Sequence, residues 1–435
     1  MRMYLPTEAR WEETRLGRFI AHNGFGLLEE LQTWSLRNSR NFWRAVAEEV
    51  GLGCGSGRLA PRGSACWLEP AGFDVAASLL GRHAASAPRR LALCAPSLDG
   101  GWSERSFAEL AEDTSTLAAG LAQRGVRTGD RVGVALPIGL EAVTTMLALL
   151  QLGAQVVWLG AMRDAARRLV ATDCHWLVVA HERAVAEPVA TTISFGSLSV
   201  TKPAPGTLAR IQPARIELPG LPPQEIAGMT LKAAWDLAAA LDLHEGDVLM
   251  ACTGPSSPLW PWLVLGCLQL GAGLVVADRL ASHGGQPPRV LPAVTHLGIC
   301  GATLQSERGN CGAPAEAFDA GALRLVAIFD GRIDATAWNW LFEQIGHCRF
   351  PLVNCFGGPA WGGLLLAAFP GLPVKPCALV GPLPGVDLCL NIATGRPGGS
   401  LVCGNCWPGM PHPDGNIPRL PVRAWIDPDG YWFLD

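Results

Sequence analysis

Apolar positions along this chain gather into two runs without a charged residue, Ala142 to Met162 and Val248 to Ala277. Each is long enough for a bilayer crossing at about 20 residues, but both are interrupted. The first carries Thr144, Thr145, Gln151, Gly153 and Gln155; the second carries three prolines and the turn signal Thr253-Gly254. They read as buried elements of a folded domain, and no membrane span is expected. Both runs contain LeuGlnLeuGlyAla, at 150–154 and at 268–272, after an apolar helix-like stretch and before a β-rich one, Val156-Val157-Trp158 or Leu274-Val275-Val276. Helix, glycine stop and buried strand are written twice.

Upstream of the first copy, Ser106 is placed to cap a helix through Arg124, a turn follows at 125–131, and residues 131–136 read as a parallel-type strand. The pattern predicts a doubly wound α/β layout in two related halves. Residues 1–50 read as two amphipathic helices, with Trp34, Leu36, Phe42, Trp43, Val46 and Val50 as the apolar stripe of a packing cap. The glycine-rich stretch 51–57 follows a helix and not a strand, so it lacks the setting of a phosphate loop and reads as a link. Thr192 to Gly228 reads as a loop region. Beyond Pro376, short β-rich runs between Gly and Pro turns predict a small barrel or sheet. The expected organisation is a helical cap (1–70), a first α/β subdomain with its loop (71–228), a second α/β subdomain (229–375) and a small β subdomain (376–435).

Composition narrows the function classes. The 435 residues are 49% hydrophobic and only 17% charged, too apolar for disorder. A net charge of −4 without a basic block excludes nucleic acid as the main partner. The 14 cysteines are scattered, and the first residues hold no signal-peptide core, so reduced thiols and a cytoplasmic location are expected.

Several motifs then resemble one family in order and spacing: residues 34–52; Phe107-Ala108-Glu109-Leu110 with 120–132; ValGlyProLeuProGlyVal (380–386); TrpProGlyMet (407–410); and TrpIleAspProAspGlyTyrTrp (425–432). The chain resembles the large N-terminal domain of acetoacetyl-CoA and acetyl-CoA synthetases, of the adenylate-forming acyl-CoA synthetase superfamily. The resemblance implies an α/β fold of two doubly wound sheets sandwiched with helices, plus a small β-barrel-like subdomain.

The residues that family uses for Mg-ATP are not matched. Its phosphate loop is a Ser/Thr/Gly run ending in Gly-Leu-Pro-Lys, so that hydroxyls, backbone N–H groups and an ammonium surround the phosphates. Anchored on Gly220-Leu221-Pro222, residues 215–223 read ArgIleGluLeuProGlyLeuProPro, which puts Pro223 in place of Lys and Glu217 close by. The family's Gly-Thr-Glu or Gly-Thr-Asp, which supplies a carboxylate for Mg²⁺, corresponds to CysPheGlyGlyProAla (355–360), with Pro359 and Ala360 at the key positions. Its ribose-binding Asp corresponds to Val422, an aliphatic side chain that cannot accept a hydrogen bond. The sequence ends five residues past Gly430. The family's hinge and C-terminal domain with its adenylating lysine are therefore expected to be missing.

From the resemblance, the acyl-pocket candidates are Thr253, Ser256, Ser257, Trp260, Trp262, Phe356, Gly357, Gly358 and Trp361. Cys403 and Cys406 with His412 offer three zinc-type ligands, one short of a tetrahedron, and no metal is expected. His175 reads as a satisfied core or rim residue and not as a catalyst. Two readings stand. One is a non-adenylating protein, without a cofactor, that binds an acyl or carrier-protein-linked thioester or supports a partner enzyme. The other is an acyl-activating ligase with a rearranged site, or an enzyme acting on a preformed thioester.

Overall fold

The computed structural model describes residues 3–52, 74–160, 173–181, 191–198, 214–255, 257–277, 293–301, 303–304, 320–329, 331–392, 398–411 and 420–435. Residues 53–57 of the glycine-rich link, Ser256 and His412 lie outside these. The first 50 residues hold four helices where two were expected: α1 (Glu8–Glu13), α2 (Arg15–His22), α3 (Leu28–Arg37) and α4 (Ser39–Glu49). Thr14 supplies one of the two extra breaks. Its backbone is extended, and its hydroxyl accepts from Gly17 N–H, which starts a new helix. After these come α5 (Arg82–Ser86), α6 (Phe107–Gln123), α7 (Leu140–Gln151), α8 (Ile226–Leu241), α9 (Leu259–Leu270) and α10 (Ala335–Trp340).

The first eight strands are β1 (Leu91–Pro96), β2 (Trp102–Ser106), β3 (Arg131–Ala135), β4 (Gln155–Trp158), β5 (Trp176–Val179), β6 (Thr191–Ser194), β7 (Arg215–Glu217) and β8 (Gln224–Glu225). Then follow β9 (Val248–Cys252), β10 (Gly273–Ala277), β11 (His296–Ile299), β12 (Leu325–Ile328), β13 (Leu352–Gly358), β14 (Gly363–Ala367) and β15 (Gly381–Pro382). The last four are β16 (Leu388–Asn391), β17 (Gly399–Cys403), β18 (Arg423–Ile426) and β19 (Trp432–Leu434).

Two largely parallel sheets result, one of nine strands in the order β15-β14-β13-β12-β11-β9-β10-β1-β2 and one of six in the order β6-β5-β3-β4-β7-β8. The sheets do not divide the chain at 228: β1 pairs in parallel with β10, which carries β1 and β2 into the nine-stranded sheet. Helix α7 packs on β3 and β4 of one sheet and on β1 of the other, which makes it part of a shared middle layer. The region read as a loop, Thr192 to Gly228, in fact contributes most of β6, all of β7 and β8, and the start of α8. These strands are two to four residues long, too short to show a period among Pro and Gly. Beyond 376, the order β16-β17-β18-β19 forms an antiparallel sheet, and the described residues do not close it into a barrel.

The two charge-free runs resolve into α7–β4 and β9–α9–β10. Gly153 and Gly271 both take positive φ, +73° and +71°, and end their helices as the repeated LeuGlnLeuGlyAla predicts. Among the described residues no helix is long and apolar enough to cross a membrane. Instead α8 and α9 are buried on every face and pack on each other, with Gly266 letting α9 approach the Ala233 backbone.

Within α8 lie two charges one turn apart, Lys232 and Asp236, both with fully buried side chains. Lys232 Nζ donates to Asp236 Oδ1 and, at 2.6 Å, to Leu364 O, while Leu364 N–H donates to Asp236 Oδ2 at 2.7 Å. The pair therefore satisfies both backbone groups of one residue of β14. Burial pushes the Asp236 carboxyl up to about 6 despite the ammonium beside it, and burial pulls Lys232 down.

Two expectations follow for stability. Lys232→Met leaves a buried carboxylate unpaired and should cost about 3–5 kcal/mol in urea unfolding. Adding Asp236→Asn should restore part of that loss, whereas additive losses would mean the two side chains act independently. The second concerns His296, buried with Nε2 at 3.0 Å from Leu241 O and pulled down to about 4 mainly by burial. Unfolded, the imidazole binds a proton below about 6.5, which the folded state refuses until about 4. Stability should thus fall by about 3 kcal/mol as pH drops through that window, and His296→Gln should lack this part of the slope.

Candidate active site

Hairpin β7–β8 leads directly into α8, and its tip, residues 218–223, holds Leu218, Pro219, Gly220, Leu221, Pro222 and Pro223. Three of these six are prolines without an N–H. Leu221 N–H donates to Leu218 O, closing the turn. Only Leu218 and Gly220 keep a backbone donor for a ligand, and the tip holds no hydroxyl and no cation. Glu217 is turned across the sheet to Arg131, whose guanidinium donates to it at 2.7 Å.

The hairpin meets the second expected region. Gln224 Nε2 donates to Pro359 O at 3.2 Å, which brings Pro223 close to the turn Pro359–Trp361 between β13 and β14. Trp407 Nε1 donates to Trp361 O at 3.1 Å, so TrpProGlyMet (407–410) joins them. The approach is backbone to backbone: a Cβ on Gly228 would stand 2.8 Å from Gly409 N, and one on Gly409 would stand 2.9 Å from Met229 Cα. Gly358 faces the start of α9, where a Cβ added to it would stand 3.4 Å from the Leu259 side chain. Three of the expected segments, the hairpin, the turn after β9 and the β13–β14 turn, therefore lie together with residues 407–410, which were not among the expected site residues.

Individual candidates take distinct places. Thr253 is buried, and neither its Oγ1 nor Gln224 Oε1 has a hydrogen-bond partner among the described residues. Ser257 Oγ accepts from Leu259 N–H at 3.2 Å, which assigns it to the start of α9. Trp260 and Trp262 are sealed inside α9, Trp260 donating to Gly254 O at 2.8 Å and Trp262 set edge-on to Phe329. They form core and do not face solvent. Phe356 is buried, while Gly357, Ala360 and Trp361 are half-buried at the surface of the convergence. Val422 sits on the neighbouring four-stranded sheet, its carbonyl accepting from Leu401 N–H. His175 is exposed at the start of β5, a rim residue. Gln224 and the Lys232–Asp236 pair did not emerge from motif reading, although two lone charges in an otherwise apolar helix were a visible signal.

Residues 80–202 match the AMP-binding enzyme family. Acetyl-coenzyme A synthetase 2 of Pseudomonas putida is 25% identical over 85% of this chain and 67% of its own length. The chain is thus similar to acetyl-coenzyme A synthetases over most of its length. The acetyl-coenzyme A synthetase of Nitrosomonas europaea is likewise 25% identical, over 79% of this chain and 62% of its own length. This acyl-CoA synthetase-like chain thus spans about two thirds of the length of the curated relatives it matches. Its fold is that of the acetoacetyl-CoA synthetase from Streptomyces lividans, with a TM-score of 0.81, 21% identity, and coverage of 99% of this chain and 79% of that one.

In the cysteine motif, burial pushes the Cys403 thiol up to about 12 and raises Cys406. Among the described residues no group of three His, Cys, Asp or Glu is placed to hold a metal.

The close packing of segments at the site is testable through two glycines. Gly409 (φ +81°) abuts the α8 backbone, whereas Gly220 (φ +74°) faces open space. Gly220→Ala should cost about 1 kcal/mol of backbone strain, and Gly409→Ala about 1–3 kcal/mol more. Equal shifts in urea midpoint would mean that Gly409 is not wedged against α8.

Proposed function

We propose that this acyl-CoA synthetase-like chain no longer forms an acyl-adenylate and instead binds a preformed acyl thioester, free or carrier-linked. The observation that carries the reading is the tip of the β7–β8 hairpin. A triphosphate cradle needs several converging N–H groups, hydroxyls and a cation. Residues 218–223 offer two N–H groups and neither of the others. Pro359 and Ala360, hydrogen-bonded to the hairpin through Gln224, bring no carboxylate for Mg²⁺. Thioester binding is supported by Phe356 and Trp361 on the apolar side of the convergence. The unpartnered Thr253 Oγ1 and Gln224 Oε1 are two buried polar atoms that a ligand's amide or hydroxyl groups can satisfy.

A second reading, an AMP-forming ligase with a rearranged site, draws on the match of residues 80–202 to the AMP-binding enzymes. Binding and exchange separate the two. With the full protein, Mg·ATP should not raise the melting temperature, although a ligand at about 100 times its Kd adds about 2.7 kcal/mol. ATP–pyrophosphate exchange with acetate, acetoacetate or fatty acids should stay at background, including in the Pro223→Lys/Ala360→Glu/Val422→Asp variant, whose hairpin still lacks donors. Acyl-CoA ligands should quench tryptophan fluorescence, with affinity rising about fourfold per added CH₂ at about 0.8 kcal/mol each. Saturable Mg·ATP binding with exchange would establish the ligase reading. A response flat across the acyl series and unchanged by Trp361→Ala would remove thioester binding.

A further inference from the structure

A cavity of about 520 Å³ opens at the opposite end of β9 from the candidate active site. Its walls include Arg15 and Arg18 of α2, Arg82 and His83 of α5, and His244 and Glu245 just before β9. Five strand residues, about 17 Å, separate it from Thr253.

The charges around it do not cancel. Arg15 is committed to Glu49 at 2.9 Å. Glu245 is committed to Arg90, just beyond the wall. Nearby Asp242 is held by Arg10 at 3.6 Å and by His244 Nε2 at 3.0 Å, and Asp247 by Arg324. Among the described residues neither Arg18 nor Arg82 forms an ion pair within 4 Å, although Glu245 interacts with Arg82 at longer range. Arg18 is exposed and reaches only His244 Nδ1, at 3.5 Å. Arg82 donates to His83 Nε2 at 3.1 Å and to the carbonyls of Val50, Gly51 and Gln269, which uses four of its five N–H groups. His83 is 5% exposed and adds no positive charge, since burial and the neighbouring Arg82 favour its neutral form.

We propose that this cavity binds a small phosphate monoester with a hydroxyl-bearing body, its phosphate held by Arg18 and the remaining N–H of Arg82. Two guanidiniums approaching from different helices call for an anion whose oxygens point in several directions, which phosphate provides and a planar carboxylate does not. The volume far exceeds a bare phosphate and lies in the range of small-ligand sites. Ser86, Glu49 and Glu245 on the same wall can accept from sugar hydroxyls. The site is independent of the chemistry at the β7–β8 hairpin.

The test is calorimetric titration of the full protein, at constant ionic strength, with ribose 5-phosphate, AMP and inorganic phosphate. Ribose 5-phosphate should bind saturably. Arg18→Ala, at an exposed side chain, should weaken it at least about tenfold without changing the melting temperature of the free protein, and Arg18→Lys should lose less. Because AMP can also report on a nucleotide site, dependence on Arg18 assigns its binding to this cavity. No saturation by ribose 5-phosphate up to about 10 mM, or binding unaffected by Arg18→Ala, would overturn the proposal. Inorganic phosphate binding as tightly as ribose 5-phosphate would overturn the ester assignment.

Discussion

A buried ion pair that grips one backbone residue sets the geometry of the candidate site. Lys232 and Asp236 reach from α8 to the carbonyl and the N–H of Leu364, at the start of β14. Two charges removed from water are costly unless each finds a full complement of partners, and here a peptide group completes both. The grip also fixes what precedes it. Gly363 must be glycine, since a side chain there would collide with both members of the pair, and its φ of +129° is closed to other residues. The β13–β14 turn, with Pro359, Ala360 and Trp361, is thereby pinned over the N-terminal half of α8. Through Gln224 and Trp407 it holds the hairpin and residues 407–410 as well.

Much of this architecture was legible in the chain. The twin LeuGlnLeuGlyAla segments, each ending a buried helix before a buried strand, predicted two parallel α/β halves because a helix stop in the left-handed region followed by a β-branched run has few other readings. Ser106 caps α6 as expected, and the structure adds Glu109 to complete a capping box. Sheet membership was not legible. The parallel pairing of β1 with β10 joins residues some 180 positions apart through backbone bonds that leave no local trace. Short strands such as β7 were hidden for a related reason: with three residues and one buried side chain, Ile216, there is no alternation to read.

At the site, the resemblance named segments that the structure brings near one another, while the place of individual side chains needed the structure. Trp260 and Trp262 look like pocket walls by position in the motif, yet α9 is enclosed all round and absorbs them into the core. Glu217, beside a phosphate-loop position in sequence, is drawn to Arg131 because the pleat and a nearby guanidinium direct it there. The convergence itself presents half-buried Gly357, Ala360 and Trp361 beside two buried polar atoms without partners among the described residues, Thr253 Oγ1 and Gln224 Oε1.

The pairing of β1 with β10 bears on how this chain can be taken apart. Residues 80–202, the stretch that matches the AMP-binding enzymes, end before β10 begins. They are not a unit of folding. Excised, they would carry β1 with one edge stripped of its partner and the inner face of α5 without the α4 and α9 carbonyls that Arg82 bridges. An open, apolar strand edge of that kind pairs with copies of itself. A fragment cut at the limits of similarity is therefore a candidate for aggregation, and dissection or grafting of this chain has to follow strand order in space, not the order of its motifs.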